Sequence, residues 1–161
     1  MIIRKTKIAD LTDCEAIYAA AREYMRESGN PDQWTDGYPG TVEILSDIAN
    51  GGSYVVEDKG EVVAVFYFSP GPDTTYAKIY EGEWKSDEPY AVIHRVAVKH
   101  HGRGIIDFIF RECFQAAGHL RIDTHKNNLP MQRVLTRNGF EYCGIIYLAS
   151  GDERMAFEKI N

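Results

Sequence analysis

Three consecutive segments constrain the fold more than any other feature of the chain. Tyr90–Val98 is an apolar run rich in β-branched residues, Gly104–Ala117 carries apolar residues at helical spacing and ends at Gly118, and His119–His125 is a second strand. Strand, helix and strand in succession form a β–α–β unit. Its two strands lie parallel, because the helix carries the chain back to the end of the sheet from which it left. The join between the first strand and the helix is short, basic and rich in glycine, in the stretch Ile93–Ile109. Gly102 and Gly104 let the backbone approach a ligand closely. The first helical N–H groups lack internal partners, and the helix dipole favours an anion there. Lys99, His100, His101 and Arg103 add positive charge, so the join reads as a phosphate site.

The flanking segments complete the sheet. Met1–Lys7 reads as a strand. Thr12 with Glu15 has the spacing of a capping box, and Leu11, Ile17, Tyr18, Ala21, Tyr24 and Met25 recur as one helical face that stops at Ser28-Gly29-Asn30-Pro31. Asp32–Gly40 is a loop, and a short helix follows over Thr41–Asn50. Ser53–Glu57 and Glu61–Ser69 form a hairpin across Asp58-Lys59-Gly60. Pro70–Pro89 is a long excursion with a little strand around Lys78–Tyr80. Pro130–Asn138 is the last helix. Gly139 suits a left-handed position after it, with Phe140 packing back on Leu135. Phe140–Tyr147 and Arg154–Lys159 are closing strands. The expected class is α/β (α+β): a mixed central sheet of about six to seven strands flanked by helices on both faces.

Composition narrows the function classes. At 161 residues the chain is expected to be one domain, residues 1–161, long enough to bury a real core. A net charge of −6 argues against broad nucleic-acid binding. Cys14, Cys113 and Cys143 are odd in number and lack CxxC spacing, which suits reduced thiols. Neither a signal peptide nor an apolar span is visible, so the cytoplasm is the expected compartment, with no membrane partner.

Two further motifs sharpen the picture. His101-Gly102-Arg103-Gly104-Ile105-Ile106 occupies the place of an Arg/Gln-x-x-Gly-x-Gly/Ala loop and matches it at Gly104, and Asn128 lies eleven residues before Gly139-Phe140. With the order of strands and helices, these make the chain resemble the GNAT superfamily of N-acetyltransferases over nearly its whole length. Two positions depart from the family pattern: His101 replaces the usual Arg or Gln, and Ile106 replaces a small residue. The resemblance implies acetyl-CoA as co-substrate and no metal. It implies that the strand before the glycine loop and the next parallel strand splay apart, with the pantetheine arm lying between them like an added strand. Val96, Ala97 and Val98 would offer backbone contacts. His101, Gly102, Arg103, Gly104, Ile105 and Ile106 would wrap the pyrophosphate, and Asn128 would reach the pantetheine. Gly102 and Gly104 also fit a plain tight turn, and Asn128 a helix cap beside Pro130.

Transfer needs an amine to lose a proton and a thiolate to leave. The tyrosine that serves many family members as acid falls at Leu135 here. Tyr142 and Tyr147, on the next strand, are the substitutes. His94, on the cofactor strand, is the candidate base, because imidazole titrates near neutrality. His119, Asp123 and His125 alternate on one strand, but no further ligand joins them, so a polar strand end is favoured over a metal site. Cys143 reads as a small buried residue. The loop aromatics Trp34, Tyr38 and Trp84 could line an acceptor pocket or cap the core. The acceptor is expected to be a small-molecule or peptide amine, and a homodimer is open. Two other readings stand beside the transferase: a degenerate acyl-CoA-binding module without turnover, and a nucleotide-phosphate binder. The last is opposed by the missing Lys-Ser/Thr after the glycines and the missing GxGxxG.

Overall fold

The computed structural model describes all 161 residues. Seven strands form one mixed sheet. They are β1 (Ile2–Lys5), β2 (Ser53–Asp58), β3 (Glu61–Pro70), β4 (Ala91–Val98), β5 (His119–Thr124), β6 (Glu141–Tyr147) and β7 (Glu153–Ile160), in the spatial order β1-β2-β3-β4-β5-β7-β6. The β4–β5 pair is parallel and every other pair is antiparallel, as the β–α–β unit and its flanking hairpins require.

Four helices cover the sheet: α1 (Leu11–Glu27), α2 (Thr41–Ala49), α3 (Ile105–Ala117) and α4 (Leu129–Arg137). On one face, Cys14, Ile17 and Tyr18 of α1 and Ile44 of α2 pack on Val55, Val65 and Ala97. On the other, Ile109 and Phe110 of α3 and Leu135 of α4 pack on Ala64, Phe66, Ile93 and Leu120. Residues 71–90 take the place of a helix over the far half of the first face. There Tyr76 is buried against Val92, Ile146 and Ala156.

Two local expectations are corrected. Helix α1 starts at Leu11, not at a Thr12–Glu15 capping box. A short 3-10 turn, Ile8–Asp10, feeds it, and the Asp10 carboxylate accepts from the Lys7 N–H at 2.8 Å and from both Arg4 Nη atoms at 2.8 and 2.9 Å. Glu15 instead accepts from Thr41 Oγ1 at 2.6 Å, tying α1 to α2. The small strand near Lys78–Tyr80 shrinks to one bridge, Tyr80 with Ile145. The end of α4 follows the expectation: Gly139 has φ +84°, its N–H reaches Thr136 O at 3.1 Å, and Phe140 N–H reaches Leu135 O at 3.0 Å.

The feature that opens a site is in β4. Its register with β3 runs Val65↔Ala97 and Tyr67↔His94, so Arg95 and Val96 together face the single residue Phe66. Arg95 takes a left-handed φ of +51°. Such a bulge adds twist and bends its strand. Pairing of β4 with β5 is confined to Ala91↔Leu120 and Val92↔Arg121. Beyond Val92 the two strands separate.

Candidate active site

The separation of β4 from β5 leads into two cavities. The first, of about 240 Å³, lies between the end of α1, the outer half of β4, the glycine loop and the starts of α3 and α4. All ten residues expected to contact a cofactor line it: Val96, Ala97, Val98, His101 to Ile106, and Asn128. Gly102 and Gly104 have φ of +74° and +71°. A Cβ at Gly102 would meet nothing within 4 Å, and one at Gly104 only Asp107 Oδ2 at 3.9 Å. Glycine is therefore set here by backbone conformation and by whatever approaches the loop, not by crowding within the protein.

The positive charge of the loop is thinner than its sequence implies. Lys99 is paired with Glu61 on the neighbouring strand and does not line the cleft. His101 stacks on Tyr24, with ring centroids 3.7 Å apart, and burial lowers its imidazole pKa below 6.5. Arg103 and His100, which both line the cleft, and the backbone N–H groups at the start of α3 are left to meet an anion. Asp107, in the first turn of α3, is held by Arg137 Nη2 at 2.9 Å and Asn138 Nδ2 at 2.7 Å. Asn128 is a helix cap: its Oδ1 accepts from Met131 N–H at 3.1 Å, and its Nδ2 donates to Gln33 Oε1 at 2.9 Å. It also borders both cavities.

The second cavity, of about 680 Å³, lies under the loop that carries Gln33, Trp34 and Tyr38, on the face covered by residues 71–90. It meets the first at Met25, Val96, Asn128 and Met131. The bulge decides what it contains. Consecutive residues of a regular strand point to opposite faces, yet His94 and Arg95 both line this cavity. His94 Nε2 lies 2.8 Å from Asp73 Oδ2, and His94 Nδ1 lies 3.9 Å from Asp123 Oδ2. Tyr76 Oη donates to that same Asp123 oxygen at 2.6 Å. The hydrogen bond from His94 holds the Asp73 carboxyl below its usual range. Burial, together with Asp123, raises the Tyr76 phenol well above 10, so it stays a donor. In the tautomer that donates its Nε2–H to Asp73, Nδ1 carries the lone pair of the ring and is free to accept a proton.

Arg95 does a different job. Its Nε and Nη2 hold Asp47 Oδ2 and Oδ1 at 2.9 and 2.8 Å, Nη1 donates to Tyr38 Oη at 3.3 Å, and its carbonyl accepts from Tyr18 Oη at 2.8 Å. The bidentate pair fixes the bulge against α1 and α2. Burial raises the Asp47 carboxyl, and Arg95 opposes that shift. Sequence spacing does not mark Asp73, Asp123 and Tyr76 as neighbours of His94. Only Pro72-Asp73 carries a local signal, a turn in which Asp73 Oδ1 accepts from Thr75 N–H at 2.9 Å.

Several expected residues are not brought here. Tyr142 and Tyr147 lie on β6, the edge strand, with β5 and β7 between them and β4. Both are half exposed, Tyr142 edge-on to Phe157 and Tyr147 edge-on to Tyr80, and neither lines either of these two cavities. Neither is placed to protonate a group at the junction. Leu135 is fully buried in the core. Trp84 packs on Tyr76 and Arg121 away from the second cavity, which Trp34 and Tyr38 do line. His119, Asp123 and His125 have separate partners: Glu158, Tyr76 and the Asn127 N–H. No group of three or more His, Cys, Asp or Glu is arranged to hold a metal ion. Cys143 is buried, and burial pushes its thiol up to about 11.

The model of the GNAT acetyltransferase family matches residues 14–140. No curated protein matches the chain. Among solved structures, a GNAT-family acetyltransferase from Streptococcus agalactiae 2603 is 30% identical. The match covers 99% of this chain and 95% of that one, with a TM-score of 0.91. A GNAT-family acetyltransferase from Listeria monocytogenes 4b F2365 is 18% identical over 98% and 93% of the two chains, with a TM-score of 0.71. A ribosomal-protein-alanine N-acetyltransferase from Brucella melitensis is 21% identical over 100% of both, with a TM-score of 0.61. The last two likenesses concern the fold alone. No helix is long and apolar enough to cross a membrane.

Proposed function

Since this chain belongs to the GNAT family of acetyltransferases, we propose that it moves an acetyl group from acetyl-CoA to a primary amine. The observation that carries this reading is the meeting of the two cavities where β4 leaves β5. The unpaired edge of β4, at Val96, Ala97 and Val98, suits an amide-bearing pantetheine arm, which pairs with backbone as a strand would. The pyrophosphate belongs over residues 101–106, where the first N–H groups of α3 lack intrahelical carbonyl partners. The thioester then lies at the junction, and the amine arrives through the second cavity.

In that arrangement His94 is the proton acceptor, directly or through water, and Asp73 is its positioning residue. The amine nitrogen forms a bond to the thioester carbonyl carbon, and the carbon–sulfur bond breaks. A thiol titrates near ~8.5, so the CoA thiolate leaves without a dedicated acid. The lack of a tyrosine at the junction is compatible with this chemistry.

The reading is tested by thiol release from acetyl-CoA with a panel of amines, beside melting curves with CoA. Amine-dependent release is the expected result. A folded sample whose melting point ignores millimolar CoA refutes the cofactor site. A CoA-stabilised protein that releases no thiol with any amine is a binding module instead.

A further inference from the structure

Two arginines are buried in this protein, and they differ in one respect. Arg121 is neutralised: its Nε holds Glu158 Oε2 at 2.9 Å. Arg154, only 6% exposed, pairs with no carboxylate. Its Nη1 donates to Glu153 O at 2.9 Å and its Nη2 to Gln33 O at 3.4 Å. Two of its five N–H donors are thus used, both on neutral carbonyls. A guanidinium largely withdrawn from bulk water without a paired carboxylate is costly, and such groups are normally paired; the unused donors of Arg154 are not sealed off by protein. Arg154 lines the second cavity, so its free donors have a ligand-accessible direction. The other arginine of that cavity, Arg95, is occupied by Asp47. Asp152, at the cavity mouth, is exposed and makes no ion pair with Arg154.

The cavity therefore has two unlike ends. His94, Asp73 and Asp123 give one end proton-accepting and anionic groups. Arg154 gives the other an uncompensated cation. Asp123 pairs with Ala156, and Arg154 stands two residues along β7 on the same face. Strand geometry puts the Cα atoms of Asp123 and Arg154 about 8 Å apart, within the span of one small molecule.

We propose that the acceptor is a small primary amine that also carries an oxyanion, of the amino-acid type, and that Arg154 binds that anion while the amine faces His94. This rests on the transferase reading above. The guanidinium fork matches a carboxylate or a phosphonate with two parallel hydrogen bonds. It fixes which end of the acceptor enters first, so the amine rather than the anion meets the thioester. Polyamines and other purely cationic acceptors leave Arg154 unpaired and are disfavoured.

The test uses α-, β- and γ-amino acids, each paired with its carboxamide, and aminoalkylphosphonates as a second anion. The kcat/KM of the wild-type protein for an acid is expected to exceed that for its amide by roughly 10- to 100-fold, mostly through KM. In Arg154→Gln, and less so in Arg154→Lys, the acid-to-amide ratio falls toward one. Phosphonate use comparable to the carboxylates widens the anion class without moving the site. Equal use of acid and amide by the wild-type protein overturns the proposal, and so does an unchanged ratio in a folded Arg154→Gln. Binding is read separately, from the melting temperature of the CoA complex with each pair. If acids stabilise the wild-type complex more than amides but no thiol is released, the transferase reading fails while the anion site stands. Equal stabilisation by acid and amide removes the anion site whatever the turnover.

Discussion

Replacing Gly104 with valine separates cofactor binding from folding, because the same helix carries a matched control. Gly104 precedes α3 with φ +71°, and Gly118 follows it with φ +72°. A Cβ at either site meets a single atom at 3.9 Å, Asp107 Oδ2 or Asn161 Nδ2. Neither substitution clashes, so the main folding cost of each is the left-handed conformation, about 1–2 kcal/mol for a side chain with a Cβ and somewhat more for one branched there. For a chain of this size 1 kcal/mol moves the melting point by about 2–4 °C. Both variants should therefore melt several degrees below wild type and to a similar extent. Their response to CoA should differ. At about a hundred times its dissociation constant a ligand adds about 2.7 kcal/mol, or roughly 5–11 °C here. Gly118→Val keeps that rise. Gly104→Val loses most of it if the proposed pyrophosphate site is right, because the isopropyl group would stand where phosphate oxygens are to meet the helix N–H groups. Differential scanning fluorimetry with a CoA titration measures both effects. A full CoA response in Gly104→Val, or its loss in Gly118→Val, would show that the glycine loop does not hold the cofactor.

Three further outcomes are expected. His94→Ala should lower kcat at least tenfold, with little effect on CoA affinity, because His94 lines only the second cavity; unchanged kcat and pH profile would remove it as the proton acceptor. Asp73→Asn should change the pH dependence of stability as well as the pH–rate profile. The folded carboxyl lies below its ordinary 3.8, so its stabilisation is complete above that pH and lost as pH falls through the folded value. The gap in melting point between wild type and variant should accordingly persist at neutral pH and narrow in acid, and a gap that widens in acid contradicts the His94–Asp73 pairing. Leu135→Tyr should cost about 1–3 kcal/mol by overpacking a fully buried site and should not raise kcat; thermal melts and thiol release check it, and faster turnover without destabilisation would place position 135 at the thioester after all.

The sequence by itself determined what depends on short-range pattern. The alternation of β-branched runs with helical spacing gave the strand–helix order and the parallel β4–β5 pair. Left-handed glycines at 102, 104 and 139 marked turns that few other residues can make. Ten of the 21 residues that line the first cavity are legible for the same reason, since nine of those ten lie in one continuous stretch of chain, 96–106. Tertiary structure decided the second cavity. His94 acquires Asp73 from 21 residues away, Arg95 acquires Asp47 from 48 away, and Arg154 approaches Gln33 from 121 away. No local periodicity encodes such partners. The bulge at Arg95, which turns two successive side chains into one cavity and parts β4 from β5, is held by Asp47, Tyr38 and Tyr18 rather than by its own sequence. Tyr142 and Tyr147 fall on the expected strand, but it lies away from β4 for the same reason. They follow α4 closely in the chain, but β7 inserts between β5 and β6 and carries them to the edge of the sheet. Strand order is settled by which apolar faces can be covered together, and that is a property of the whole assembly.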